Sequence, residues 1–339
     1  MTGPLTSLLY RLNRQLRELS ELLIGATFDP YRDIVLVTGG CGGLGKELVL
    51  VFTRAHAPVV VFDVNLPEPE DRVPGVHYYV CDVSDRKDVL LKSAQVAEEV
   101  GTITILINNA GITTGKTVLD LSFEEIEKTI EVNLLSSFYT IKAFLPSMLK
   151  VKRGYIVTVA STLGYMSPAR LSVYGATKSG LIALHESLTY ELGPPSFNTT
   201  GVKTLLICPG QLKTRMFEGV RTPHTLLAPE LEPKDVSKAI FSAIELGKRG
   251  EIKLPFYGNF LPIFRAVPWP IVEVARYFSG MDTSMRKFVG KTMAIKESSE
   301  SALTNAISET GSVLSGLLGS GGFRGEDVDP TKELDIILE

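Results

Sequence analysis

The run Asp33-Ile34-Val35-Leu36-Val37-Thr38-Gly39-Gly40-Cys41-Gly42-Gly43-Leu44-Gly45 decides the fold of this chain. Its first six residues are a short β-branched stretch, its glycines follow at once, and Lys46 to Ala55 continue with helical character. Strand, glycine loop and helix, in that order, is the context in which a glycine motif holds a nucleotide. Glycines let the backbone turn tightly and approach a pyrophosphate, while the helix N-terminus offers free N–H groups and the positive end of a dipole. Two spacings fit the loop: Gly40, Gly42 and Gly45, or Gly39, Gly43 and Gly45. Spacing alone does not choose between them.

The next apolar run, Pro58-Val59-Val60-Val61-Phe62, ends at Asp63. An acid at the tip of a second strand, about 20 residues past the glycines, can accept hydrogen bonds from both hydroxyls of a ribose and repels a 2′-phosphate. No Arg or Lys directly follows Asp63, and the glycine loop carries no basic residue before Lys46. These residues favour NAD over NADP. Helical stretches over 44–55, 85–100, 123–149, 173–192 and 233–246 alternate with strand-like runs. That alternation predicts a doubly wound parallel sheet covered on both faces, in the α/β class. Such sheets bind ligands at the carboxyl ends of their strands. Cys41, Cys81 and Cys208 all fall at that edge, as small apolar filler or as a thiol near the cofactor.

Tyr174-Gly175-Ala176-Thr177-Lys178, with Ser161 thirteen positions upstream, carries the chemistry. On a helix, a residue and its neighbour four positions on share a face, so Lys178 stands beside Tyr174. Its positive charge is expected to lower the phenol's pKa toward working pH. Ser161 follows the apolar run Gly154 to Ala160 and should sit at that strand's C-terminal tip. A phenol, an ammonium and a hydroxyl could there meet one carbonyl or carbinol.

With these residues assembled, the chain resembles the short-chain dehydrogenase/reductase family, whose fold is a single Rossmann-type domain. Thr38 to Gly45 matches the family's Thr-Gly-x-x-x-Gly-x-Gly loop, which selects Gly39, Gly43 and Gly45 and includes Leu44. Asp82-Val83 matches the pair that contacts adenine, and Asn108-Asn109-Ala110-Gly111 the block after the fourth strand. Pro209-Gly210-Gln211-Leu212-Lys213-Thr214 fits the turn beneath the nicotinamide. Asn133 matches the helix asparagine that holds a water in the proton relay. The resemblance spans about Asp33 to Pro255 and implies hydride transfer. In it Tyr174 is the acid/base, Ser161 hydrogen-bonds the substrate oxygen, and Lys178 tunes Tyr174 and binds the nicotinamide ribose.

The chain has 339 residues, a hydrophobic fraction of 44% and a net charge of −3, an ordinary balance for a globular protein. No basic excess suggests nucleic acid, and no metal site is expected. No uninterrupted apolar run reaches the ~20 residues a membrane span needs. No cleavable signal peptide is evident. Three cysteines, an odd number, argue for a reducing compartment. Four regions follow: an N-terminal amphipathic helix within 1–28, the nucleotide-binding domain over 29–255, an apolar C-terminal extension over 256–295 and a mostly disordered tail over 296–339. Leu5, Leu8, Leu9, Leu12, Leu16, Leu19, Leu22 and Leu23 form a helical stripe with a partly basic opposite face. It can anchor at a membrane surface, pair with a second copy or pack on its own core.

The segment from Leu254 to Val272, which leads into and opens the extension, mixes prolines with Phe, Tyr, Ile and the lone Trp269. Its prolines preclude a regular spanning helix, and its aromatics suit the headgroup level of a bilayer. It also resembles, more loosely, the retinol and hydroxysteroid dehydrogenase branch, through its Leu-Pro start and the Gly280-Met281, Met285, Phe288 and Gly290 region. That branch implies a lipophilic alcohol or ketone (retinoid, steroid or long-chain type) reached from a membrane. It also implies a place on the cytosolic face of the endoplasmic reticulum or on a lipid droplet. The alternatives are a cytoplasmic enzyme with a small polar substrate, and a non-catalytic cofactor-binding scaffold on lipid surfaces. A homodimer through the two long central helices is a further expectation.

Overall fold

The computed structural model describes residues 27–194, 198–220 and 229–288. The expected helix over residues 5–23 and the tail from 296 lie outside the described residues. The described residues contain seven strands: β1 (Val35–Thr38), β2 (Val59–Asp63), β3 (Val76–Val80), β4 (Ile105–Asn108), β5 (Gly154–Val159), β6 (Val202–Pro209) and β7 (Gly250–Leu254). They form one sheet in the order β3-β2-β1-β4-β5-β6-β7, with every pair parallel. From β1 the chain first builds outward to β3, then returns to place β4 on the other flank of β1. The order therefore reverses between β1 and β4, which is where a crevice opens at the carboxyl edge.

Successive strand residues point to opposite faces, and here both faces are dry. On one, Val35, Val37, Val59, Val61, Ile105, Ile107 and Val157 pack against Leu48 and Phe52 of α1 (Gly43–Arg54) and Val236 and Ile240 of α6 (Pro233–Glu245). On the other, Leu36, Val60, Phe62, Leu106 and Ile156 meet α2 (Arg86–Glu99), α4 (Ser136–Val151) and α5 (Ser172–Glu191) through Val89, Phe144, Met148 and Leu188. Each such aliphatic side chain contributes about 1.5–3 kcal/mol when fully buried. This accounts for strands that read as continuous apolar runs.

The stretch expected as one helix over 123–149 is broken. α3 (Phe123–Ile130) starts with a capping box between Ser122 and Glu125, and a π turn at Glu131–Leu135 separates it from α4. The widened turn carries Asn133, and π bulges of this kind recur at functional sites.

At the opposite, N-terminal edge of the sheet, Arg153 grips Asp33 through two bonds of 2.7 Å. The same guanidinium donates to the Thr27 carbonyl at 2.7 Å, and Thr104 adds a 2.9 Å bond to Asp33. Phe28 packs edge-on against Phe52 and Phe241.

Beyond β7 the prolines start short elements rather than one long helix. Two 3₁₀ turns, Phe256–Asn259 and Leu261–Arg265, lead into α7 (Trp269–Ser279), which Gly280 ends in a left-handed conformation. A last 3₁₀ segment spans Met281–Lys287. Much of the extension faces outward: Phe256 is 75% exposed, Trp269 68%, Tyr277 83% and Phe278 72%. No helix among the described residues is long and apolar enough to cross a membrane.

Candidate active site

The tips of β1 and β4 are laced together before any ligand is considered. The Thr38 hydroxyl accepts from the backbone N–H of Asn109 at 3.0 Å and of Ala110 at 3.1 Å. The Asn109 amide donates back to the Thr38 and Gly39 carbonyls. A Cβ on Gly45 would stand 2.0 Å from the Gly39 oxygen, whereas one on Gly42 would meet nothing within 4 Å. The loop thus closes on Gly39 and Gly45, with Gly43 in a left-handed turn at φ +50°. This is the frame the family's motif selects. α1 begins there without a side-chain cap or an acidic residue in its first turn, and Leu44 is buried beneath it. A dinucleotide pyrophosphate fits the mouth of this loop, because the helix N–H groups stay open there.

Around the loop stand the other expected residues. The Asp63 carboxylate accepts from Cys41 N–H at 3.0 Å and Asn65 N–H at 3.1 Å, which fixes its orientation at the tip of β2. Cys41, half-buried, has its thiol pushed up to about 12 by burial and then by the Asp63 charge. Cys81 and Cys208 are buried, and burial raises their thiols too, with Glu251 adding to the rise at Cys208. Val83 is buried, and Asp82 accepts from Lys128 of α3 at 2.9 Å. Thr214 comes close to the loop, its methyl 3.2 Å from where a Gly43 Cβ would stand. Gly210 donates to Leu254 at 2.6 Å, and the Pro209 carbonyl accepts from Ser161 and Thr162 at 3.3 Å each.

Ser161, Tyr174 and Lys178 converge at the same edge. Ser161 stands just past the tip of β5, where its hydroxyl also caps a short turn by accepting from Leu163 N–H at 3.1 Å. Tyr174 lies in the first turn of α5, within hydrogen-bonding reach of Ser161. Lys178 follows one turn later. Its ammonium donates to the Val159 carbonyl at 2.9 Å and lies 5.6 Å from the Tyr174 ring centre. Asn133 brackets the Ile112 backbone with bonds of 2.7 and 2.9 Å and reaches the Thr177 hydroxyl at 3.2 Å. A Cβ on Gly111 would sit 3.8 Å from the Lys178 ammonium.

The electrostatics differ from the sequence expectation in one respect. Burial pushes the Tyr174 phenol up to about 12, with the Ser161 hydrogen bond acting the other way. Burial also pushes Lys178 down to about 8. Desolvation disfavours both charged forms. It outweighs the lowering of Tyr174 anticipated from its neighbour.

Three groups at the site were not singled out from sequence. Lys128 reaches Asp82 from a helix 46 positions on, and no local spacing links them. Phe217, at the end of the 3₁₀ turn Arg215–Phe217, lies edge-on to Tyr174 at 5.9 Å. The Thr113 hydroxyl is buried without a hydrogen-bond partner, beside Leu171 and Tyr174. Only its place after Asn108-Asn109-Ala110-Gly111 could have drawn attention to it. Among the described residues no cluster of His, Cys, Asp or Glu could hold a metal.

A parallel sheet with a dinucleotide loop at its switch point, and a hydroxyl, phenol and ammonium beside it, defines a nicotinamide-dependent oxidoreductase acting on alcohols or ketones. Residues 33–225 match the short chain dehydrogenase family, and the chain belongs to that family, which uses NAD(P). It is 34% identical over 298 residues to retinol dehydrogenase 10-B of Danio rerio, across 79% of this chain and 88% of that one. It is 37% identical over 219 residues to estradiol 17-beta-dehydrogenase 11 of Pongo abelii, across 62% and 71%. A solved short-chain dehydrogenase from Streptomyces avermitilis shares the fold with a TM-score of 0.60 at 23% identity, covering 72% of this chain and 95% of its own.

Proposed function

We propose that this enzyme exchanges a hydride between NAD(H) and the carbinol or carbonyl of a lipophilic alcohol or ketone, with Tyr174 as acid/base. One observation carries the substrate class. Tyr174 is packed among Leu163, Leu171, Phe217, Val220, Met285 and Phe288. A polar substrate would lose its hydration there without recompense, whereas an alkyl, isoprenoid or ring system would gain about 25 cal/mol per Å² buried. The named activities of the retinol and estradiol relatives point the same way.

The bound nicotinamide supplies the hydride acceptor or donor. Thr38, Gly39, Gly43, Leu44 and Gly45 would hold the pyrophosphate. Asp82, Val83, Asn109, Ala110 and Gly111 would line the adenosine side, and Pro209, Gly210 and Thr214 the nicotinamide side. Asp63 supports NAD over NADP, since its oriented carboxylate suits two ribose hydroxyls and repels a phosphate. Ser161 donates a hydrogen bond to the substrate oxygen as charge develops on it. Tyr174 takes the alcohol proton in oxidation and gives one in reduction. Lys178, still largely charged at neutral pH, stabilises the phenolate and binds the nicotinamide ribose. Asn133 links Lys178 to solvent through water.

The exposed aromatic face of the extension supports peripheral attachment to a membrane or lipid-droplet surface, on the cytosolic face of the endoplasmic reticulum. A homodimer remains part of this reading. The deciding assay offers purified protein NAD and NADP with retinoid, steroid, long-chain and small polar alcohols in mild detergent. Turnover with NAD and a lipophilic alcohol is expected. Turnover confined to polar alcohols would remove the lipid substrate. NADH binding with silence on every substrate would leave a scaffold.

A further inference from the structure

The last described segment of the chain crosses over the catalytic tyrosine, and its contacts on the two sides differ in kind. On one side it is latched by polar bonds. Asp282 accepts from Ala169 N–H at 2.9 Å and pairs with Arg276, whose guanidinium also donates to the Ser167 carbonyl at 3.0 Å. Those carbonyl and amide groups belong to the loop that leads into α5, and Ser167 itself packs against Gly175, the residue after Tyr174. On the other side the segment is seated by shape alone. Met285 is buried against Leu171 and Tyr174, and Phe288 closes the same cluster.

Phe288 rests on Gly115, in the loop after β4. A Cβ at Gly115 would lie 2.2 Å from one Phe288 ring carbon and 2.7 Å from two more. Gly115 has φ +65°, so both its backbone and its missing side chain suit this contact. An aromatic ring pressed onto a bare backbone makes close dispersion contact but no hydrogen bond, and it can leave without stranding a polar group. The Asp282 latch, by contrast, keeps the segment's start in place.

We infer that Phe288, docked on Gly115 and tethered through Asp282, is a specificity-determining residue: a movable apolar stop that sets how large a lipophilic substrate reaches Tyr174. The inference rests on the proposed lipophilic-alcohol reading. With the ring seated, Phe288 completes the apolar packing around Leu171, Tyr174 and Met285. On this inference a short alcohol reaches Tyr174 with the ring in place, and a long chain or fused ring system has to displace it.

The test compares 1-dodecanol with 1-butanol, as kcat/KM with NAD in mild detergent and as the Kd of dodecanol for the NADH-loaded protein. Phe288→Ala should raise the dodecanol-to-butanol ratio about tenfold and tighten dodecanol binding, with NADH affinity unchanged. Gly115→Ala should act in the same direction by evicting the ring, and should add nothing in the Phe288→Ala background. Asp282→Asn should give a smaller change of the same sign. Should Phe288→Ala fail to bind NADH, Phe288→Leu carries the same expectation. An unchanged ratio and Kd in the Phe288 variants overturns the inference. So does a Gly115→Ala effect that persists undiminished without the ring. If wild-type protein oxidises neither alcohol, the dodecanol Kd alone decides the role of Phe288, and the function reading stands or falls on the wider panel of retinoid, steroid and long-chain alcohols.

Discussion

At Tyr174 and Lys178, burial inverts the usual contrast between a phenol and an ammonium. The phenol, near 12, holds its proton more firmly than Lys178, near 8. In the proposed mechanism ketone reduction needs a proton on Tyr174, which is present throughout the neutral range. It also needs a positive Lys178 to stabilise the phenolate left behind. Lys178 is charged below about pH 8 and loses that charge above it. Reduction by the wild type should therefore hold level up to about pH 8 and decline beyond, in a pH–rate series at saturating NADH. Tyr174→Phe should lower kcat by about 10³-fold or more while NADH binds nearly as before. A variant retaining wild-type rate would remove Tyr174 from the chemistry. Tyr174, Lys178 and Ser161 were legible as a set because spacing places them together. The direction of the Tyr174 shift was not, because desolvation depends on what the rest of the chain packs around the pair.

At the scale of elements, the site and the sheet's foundation occupy opposite edges. The glycine loop, the β4–α3 loop and the start of α5 gather at the carboxyl ends of the strands. Asp33 and Arg153 join the starts of β1 and β5 at the other edge, across 120 positions of sequence. Both side chains are buried, so removing one leaves an uncompensated charge in a poorly solvated place. Arg153→Met should destabilise the fold by about 3–5 kcal/mol. Denaturant unfolding would measure that loss, and NADH affinity at low temperature should stay unchanged. A cofactor defect at full stability would refute the separation of the two edges. The strands and most helices were readable from apolar runs and their punctuation. The π turn at Asn133 was not, since the surrounding periodicity continues through it and the bulge is set by where Asn133 meets Ile112 and Thr177.

For the whole molecule, the extension has two faces with different work. Its inner side reaches Tyr174 through Met285 and Phe288. Its outer side presents Phe256, Trp269, Tyr277 and Phe278 to solvent. Trp269 is the sole tryptophan of the chain and reports on that outer face alone. Phosphatidylcholine vesicles should shift its emission to the blue and bring the protein down on sedimentation. Sedimentation without a shift would assign membrane contact to another part of the chain. Neither response would end the peripheral-membrane proposal.

Taken alone, the sequence determined the parallel α/β sheet and the glycine loop, and it named the side chains proposed to react. Each is written in local pattern: β-branched runs that suit buried strands, glycines where backbone must approach backbone, and a four-residue spacing that stacks Tyr174 and Lys178. Tertiary structure alone decided what surrounds them. The apolar walls come from Leu163, Phe217 and Phe288, and the clamp on Asp82 from Lys128, at distances in sequence that no period encodes. Burial, and with it the proton affinities of Tyr174 and Lys178, is a property of the whole packed chain, because a group's solvation is set by all its neighbours in space.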